Sequence, residues 1–271
     1  MPELDARRRR LSVGFFLAAL IGGAGPATCR ADDDTETGVP RPAGAAVSGG
    51  IARFSLSPPG GAAPAPWAEQ RLRDVAPNRF TLVDDDRSTV LQIDTNSSAS
   101  SLVHPVVGDA RAYGRLRWRW KVSAYPANAG FGEKAGDDYA ARVYVMFDYP
   151  LRKVPLRQRL LLGLARTVYG EDVPAAALCY VIDPRAPAGT VIDSPYTARV
   201  KMIVVRSEPQ SGHWWDEERD LERDFSRTFG AEHGPGMPPI KAIALASDTD
   251  QRGARLQARF GDVQLSGRSG R

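Results

Sequence analysis

The stretch RLRWRWKV, from Arg115 to Val122, constrains the fold more than any other part of the chain. Leu116, Trp118, Trp120 and Val122 alternate strictly with Arg115, Arg117, Arg119 and Lys121. Side chains change faces at every residue in a strand, whereas a helix would spread both sets around its circumference. The aromatic face demands burial and the basic face demands water or a partner. Such a segment belongs in a sheet that packs on one side against a second layer.

The same period recurs. RFTLVDDD (79–86) and STVLQIDTN (88–96) read as two strands meeting at an acidic turn. ARVYVMFD (141–148), ALCYVID (177–183), ARVKMIVV (198–205), KAIALAS (241–247) and ARLQARFGDVQL (254–265) follow. In the last of these, Leu256, Ala258 and Phe260 share a face. Val263 and Leu265 rejoin it only if the register slips at Gly261, which predicts a bulge. Two helical patterns interrupt. WDEERDLERDFSRTFG (215–230) carries Leu221, Phe225 and Phe229 at i, i+4 and i+8, with acids at its start and Gly230 at its end. VPLRQRLLLGLARTVYG (154–170) carries Leu156, Leu160 and Leu164 with arginines between them, a helix expected to cover one end of the body. Basic amphipathic helices also lie on membranes. The expected fold is mainly β: a two-sheet antiparallel β-sandwich, a jelly roll of the galactose-binding-like kind, with one or two short helices.

The first residues have a different character. Arg7 to Arg10 precede an apolar run from Leu11 to Ala24, and Cys29-Arg30-Ala31 sets small side chains at the two positions a signal peptidase reads. Residues 1–31 are expected to be a signal peptide, with a loose fit to the twin-arginine type, for a periplasmic or secreted protein. The apolar run is short for a membrane span, although an uncleaved anchor is the alternative. Residues 32–50 are acidic and then rich in Pro, Gly and Ala, as a disordered linker would be, and 51–271 form the folded domain. Of the 36 basic residues, Arg7, Arg8, Arg9, Arg10 and Arg30 lie in the leader, against Glu3 and Asp5 of the 32 acidic ones. The remaining chain is close to neutral, so no nucleic-acid electrostatics are expected. One cysteine, Cys179, remains beyond the leader, flanked by Leu178 and Tyr180, and reads as a buried thiol.

Six ordered blocks, LRWRWKV, GDDYAARVYVMFD, LCYVID, RVKMIVV, ERDLERDFSRTFG and IALASDTDQRGARLQARFGDVQL, resemble the DUF3047 family. These are exported bacterial proteins of unknown function. The resemblance runs from about Phe54 to Leu265 and gives a family but no activity. Ile182 stands where the family commonly has Trp, and Gln251-Arg252 where it commonly has Asn-Thr. The closing block is also similar, at the level of fold, to the last strands of galactose-binding-like and carbohydrate-binding jelly rolls.

Several constellations could carry chemistry. Arg119 and Lys121, Arg142, Tyr144 and Asp148, and Arg199 and Lys201 would form one ligand face if their strands were neighbours. Guanidinium forks and hydroxyl partners suit sugars and acidic polysaccharides; the alternative is a solvated face of cross-strand ion pairs. Asp137 or Asp138 could pair with Asp148 or Asp183 as a glycosidase acid and base, or form a turn that pairs with Arg119 or Arg142. His213 stands beside Trp214 and Trp215 as a candidate base or stacking platform, or Trp214 packs in line with Leu221. Asp248, Asp250 and Asp262 could hold Ca²⁺, but the D-x-D-x-x-G frame has arginine at the fifth and twelfth positions and reads better as a hairpin turn. CxxC, HExxH, GxGxxG, P-loop and Gly-x-Ser-x-Gly patterns are absent. The expected function is non-catalytic binding of a carbohydrate or other polar envelope ligand. A polysaccharide hydrolase or lyase and a scaffold that binds protein partners are the alternatives.

Overall fold

The computed structural model describes residues 50–107, 112–126, 132–169, 173–207 and 210–267. The expected signal segment (1–31) and all but the last residue of the expected linker lie outside them. Among the described residues the chain forms two sheets. The larger has seven strands in the order β1-β4-β11-β6-β7-β9-β8. These are β1 (Ala68–Arg71), β4 (Ala99–Pro105), β6 (Arg142–Phe147), β7 (Ala177–Ile182), β8 (Val191–Ser194), β9 (Thr197–Arg206) and β11 (Ile240–Asp248). The six-stranded sheet runs β10-β5-β12-β3-β2, with β13 also pairing β5. Its members are β2 (Arg79–Asp85), β3 (Ser88–Asn96), β5 (Tyr113–Val122), β10 (Trp215–Asp220), β12 (Arg255–Phe260) and β13 (Gln264–Gly267). The pairings are antiparallel, as a jelly roll requires, except β7 with β9, which run parallel.

The alternation in β5 sets the interface between sheets. Leu116, Trp118, Trp120 and Val122 are all buried. Trp118 reaches across to Tyr180 of β7 with ring centroids 5.3 Å apart, and meets Trp120 edge-on at 5.4 Å. Burying each such ring contributes roughly 1.5–3 kcal/mol. At Gly261 the expected register slip occurs: β12 ends at Phe260, β13 begins at Gln264, and both pair with β5. A Cβ at Gly261 would lie 2.6 Å from Cγ of Arg119, so the chain passes β5 there with no room for a side chain.

Two expectations change. Residues 215–220 form β10 rather than the first turns of a helix. Trp215 lies opposite Trp120, and Glu218 opposite Arg117. Glu218 accepts hydrogen bonds from both Arg115 (2.6 Å) and Arg117 (2.9 Å), so pairing with the basic strand outweighs the local helical pattern. The helix, α2 (Leu221–His233), begins where Asp220 caps it by accepting from the Arg223 amide at 3.0 Å. Its Phe225 packs on Phe147 at 4.9 Å. The other helix, α1 (Leu156–Tyr169), forms as expected, but Leu156, Leu160 and Leu164 point to solvent instead of covering the body.

The N-terminal side is tied down by a polar clasp. The Ala52 amide donates to Nε2 of His104 at 2.9 Å, and Nε1 of Trp67 donates to the Ala52 carbonyl at 2.8 Å. With Nε2 accepting, the His104 proton sits on Nδ1 and points at the Pro105 carbonyl, 2.7 Å away. Burial pushes the His104 pKa down.

Candidate functional site on the outer face of the six-stranded sheet

The outward side chains of β2, β3, β12 and β5 form rows fixed by register. Arg79 lies opposite Asp94, and Asp94 opposite Gln257; Thr81 lies opposite Gln92, Gln92 opposite Arg259, and Arg259 opposite Lys121. The β2–β3 hairpin tip then closes on this face. Asp85 accepts from Lys121 and, at 2.5 Å, from Arg259, while Asp86 accepts from Arg119 at 3.1 Å. The hairpin tip and the long side chains of β12 and β5 therefore meet over the outer face. Trp214 packs on this clamp. Its ring lies 4.5 Å from the guanidinium carbon of Arg119 and 4.9 Å from Nζ of Lys121, and Nε1 points at Asp85 across 3.5 Å. Burial alone would raise the Asp85 pKa, but hydrogen bonds from Lys121 and Arg259 outweigh it and hold it below the usual carboxylate value.

Beyond this clamp the face opens into a groove of about 840 Å³. Thr81, Gln92, Asp94 and Gln257 line it, with Arg79 and Arg255 among its other residues. The floor is knitted together: Gln257 donates to Asp94 at 2.7 Å, Gln92 donates to Asp94 at 3.1 Å, and Arg259 donates to Gln92 at 2.9 Å. Arg79 and Arg255 make no ion pair among the described residues and both are exposed. The groove is therefore a hydrogen-bonding trough with two cations that make no ion pair among the described residues.

The expected ligand residues divide. Arg119 and Lys121 belong to the clamp. Arg142 and Tyr144 lie in the other sheet, on β6, and both are buried. Arg142 donates from Nε to Oδ1 of Asp248 at 2.9 Å and from Nη2 to its Oδ2 at 2.5 Å, pairs with Asp137 at 3.1 Å, and stacks on Tyr139 at 4.4 Å. Asp148 is exposed at the far end of β6. Arg199 is buried against Glu232 of α2, with Nη1 and Nη2 donating at 2.8 and 2.9 Å, and Lys201 pairs with Asp193 of β8 at 2.5 Å. The single face that would have combined these seven residues does not form, because their strands belong to two sheets.

The catalytic candidates are likewise separated from the groove. Asp137 faces Arg142, as its turn-forming reading expects. Asp138 accepts from the amides of Gln251 (3.0 Å) and Arg252 (2.9 Å). Burial raises both pKa values, against Arg142 for Asp137 and against those amides for Asp138. Neither pairs with Asp148, and Asp183 is held by Arg185 at 2.8 Å. His213 packs edge-on to Trp215 at 4.4 Å. Trp214 lies over the basic strand rather than in line with Leu221.

Of the metal candidates, Asp262 binds Arg53 and Ser55. Asp248 and Asp250 converge with Asp138, their carboxylate oxygens within 4.8 Å of one another. Arg142 already occupies both oxygens of Asp248, the place a cation would take. Cys179 is buried and its thiol is pushed up to about 12, by desolvation first.

Arg79, Gln92, Asp94, Arg255 and Gln257 were not among the expected site residues. Their signal was present in the outward parity of strands read only for their apolar faces.

The family described as protein of unknown function (DUF3047) matches residues 65–264. A search of curated proteins finds no match. Among solved structures, the family 11 carbohydrate-binding module from Clostridium thermocellum aligns at 11% identity and a TM-score of 0.41, covering 82% of this chain and 98% of that one. Endoglucanase cel12A from Rhodothermus marinus aligns at 10% identity and a TM-score of 0.40, covering 74% and 96%. The family 12 xyloglucanase from Bacillus licheniformis aligns at 8% identity and 0.38, covering 72% and 88%. At these scores the likenesses carry no weight for function, and the fold stands on the strand pairing above.

Proposed function

The chain belongs to the DUF3047 family, and from that premise we propose that it is an exported binding protein for an acidic carbohydrate, held in the groove of the six-stranded sheet. The observation that carries this reading is the pair Arg79 and Arg255, two exposed guanidinium groups without carboxylate partners among the described residues, beside a trough of amide, hydroxyl and carboxylate side chains. A guanidinium fork matches a uronate carboxylate in two parallel hydrogen bonds. Gln92, Gln257, Thr81 and Asp94 offer donors and acceptors for ring hydroxyls.

The lining favours binding over hydrolysis. Hydrolysis by paired carboxylates needs two acids facing each other across the scissile bond. Asp94 is the one acid among the groove's lining residues, and it is engaged by Gln92 and Gln257.

Calorimetric titration with oligouronates and with neutral gluco-oligosaccharides tests the proposal. Oligouronates should bind and neutral chains should bind far more weakly. Each of Arg79→Ala and Arg255→Ala should weaken oligouronate binding roughly 10- to 100-fold, the worth of a charge-assisted hydrogen bond. Equal affinity for neutral chains, or an unaffected double variant, would overturn it. Shortened products in the cell after titration would move the protein to the hydrolase or lyase class.

A further inference from the structure

The helix α1 turns its leucines outward and its polar groups toward the protein. Leu156, Leu160, Leu161 and Leu164 are 69, 64, 58 and 67% exposed, while Leu162 is buried. At about 100° per residue, the four exposed leucines share one side of the helix. The opposite side is held by polar contacts. Arg159 donates to the carbonyls of Arg152 (2.9 Å) and Val154 (3.0 Å), Arg166 donates to the Val173 carbonyl (3.0 Å), and Gln158 accepts from Arg199 (2.8 Å). A leucine row of this kind on a protein surface marks a contact with something apolar.

The charge around the row identifies the partner. Between Tyr149 and Tyr169 the sequence has Arg152, Lys153, Arg157, Arg159 and Arg166 and no aspartate or glutamate. Leu151, beside Arg152, is exposed as well. Lys153, Arg159 and Arg166 donate to carbonyls of the protein, and a second copy of the chain would bring its own exposed Arg152 and Arg157 against this pair. An anionic lipid surface presents the complement: apolar chains for the leucines and headgroup charge for the exposed Arg152 and Arg157, whose long stems let them reach the headgroups from an apolar face. We propose that α1 is a lipid-docking helix that lies in the headgroup layer of a membrane containing anionic phospholipid. No described helix is long and apolar enough to cross a membrane, so α1 lies along the surface.

Vesicle flotation of the full chain tests this, with phosphatidylcholine vesicles and phosphatidylcholine–phosphatidylglycerol vesicles. The chain should float with the mixed vesicles, release as salt rises, and bind phosphatidylcholine alone far less. Leu160→Ser with Leu164→Ser should weaken flotation at least roughly tenfold. Arg157→Glu should weaken it roughly fivefold or more. All changed positions are exposed, so melting temperatures should not move, and the N-terminal apolar run is the same in every chain compared. No flotation, equal flotation of wild type and both variants, or equal binding to phosphatidylcholine alone would overturn the proposal. Concentration-dependent self-association in sedimentation that the leucine changes abolish would also overturn it, assigning the row to contacts between copies.

Discussion

Arg142 holds the most demanding electrostatic arrangement in the molecule, and replacing it with methionine tests how that arrangement works. The guanidinium is 2% exposed and stands between Asp248, 2% exposed, and Asp137, 6% exposed. Methionine keeps much of the volume but leaves two buried carboxylates without a cation. Breaking a buried pair by removing one partner costs about 3–5 kcal/mol. For a domain of this size that is of the order of 10 °C in melting temperature. The loss should depend on pH in a defined direction. Burial already raises the folded-state pKa values of Asp137 and Asp248 above their unfolded values, in opposition to Arg142. Without Arg142 the opposing attraction is gone and both rise further. A carboxylate whose folded pKa is raised contributes most stability below its unfolded pKa and loses it as pH rises through the folded value. The gap between wild type and R142M should therefore widen from pH 5 to pH 8, by up to about 1.4 kcal/mol per pH unit for each carboxylate titrating. Urea melts at the two pH values measure it, and adding Asp248→Asn to R142M should recover part of the loss by removing one buried charge. A loss under about 1 kcal/mol, or a gap that stays constant or narrows toward pH 8, would refute the account.

Asp85→Asn should loosen the clamp beside the groove, because Lys121 and Arg259 lose their shared carboxylate and Arg259 also holds the lining residue Gln92. The expected cost is about 1–2 kcal/mol by urea melt at low salt, smaller at high salt, with weaker oligouronate binding. In the wild type the lowered Asp85 pKa stabilises the fold above the unfolded value near 3.8, and that contribution fades as pH falls through the folded value. His104 gives an acid dependence in a higher window. Its folded pKa is depressed, so the fold keeps full stability above about pH 6.5 and loses it as pH falls toward the folded value. His104→Gln can still accept from the Ala52 amide but does not titrate, and should flatten the melting-temperature slope between pH 7 and 5; an unchanged slope would show that another group governs it.

What the sequence made legible was parity, and parity sufficed for the fold. RLRWRWKV named its own buried face, and the slip at Gly261 was visible because Phe260 and Val263 cannot otherwise share a side. Parity says which side chains leave a strand together, but it does not say which strands are neighbours or what covers the far side. Trp214 and Trp215 looked like the start of a helix because five charged residues follow them, and only β5, distant in sequence, makes extended pairing the better bargain. Arg119 and Arg142 show the limit most plainly. Each is an arginine at a non-apolar position of an alternating strand, and nothing local distinguishes them. The loop 132–141 separates their roles: Asp137 and Tyr139 close on Arg142 from one side while Asp248 takes it from the other, so its charge is spent inside the protein. The Arg119 guanidinium instead meets Asp86 at the hairpin tip and the ring of Trp214 on the outer face. On the same outer face Arg79 and Arg255 make no ion pair among the described residues, and that difference in covering is why the proposed ligand is assigned to this sheet rather than to the one bearing Arg142.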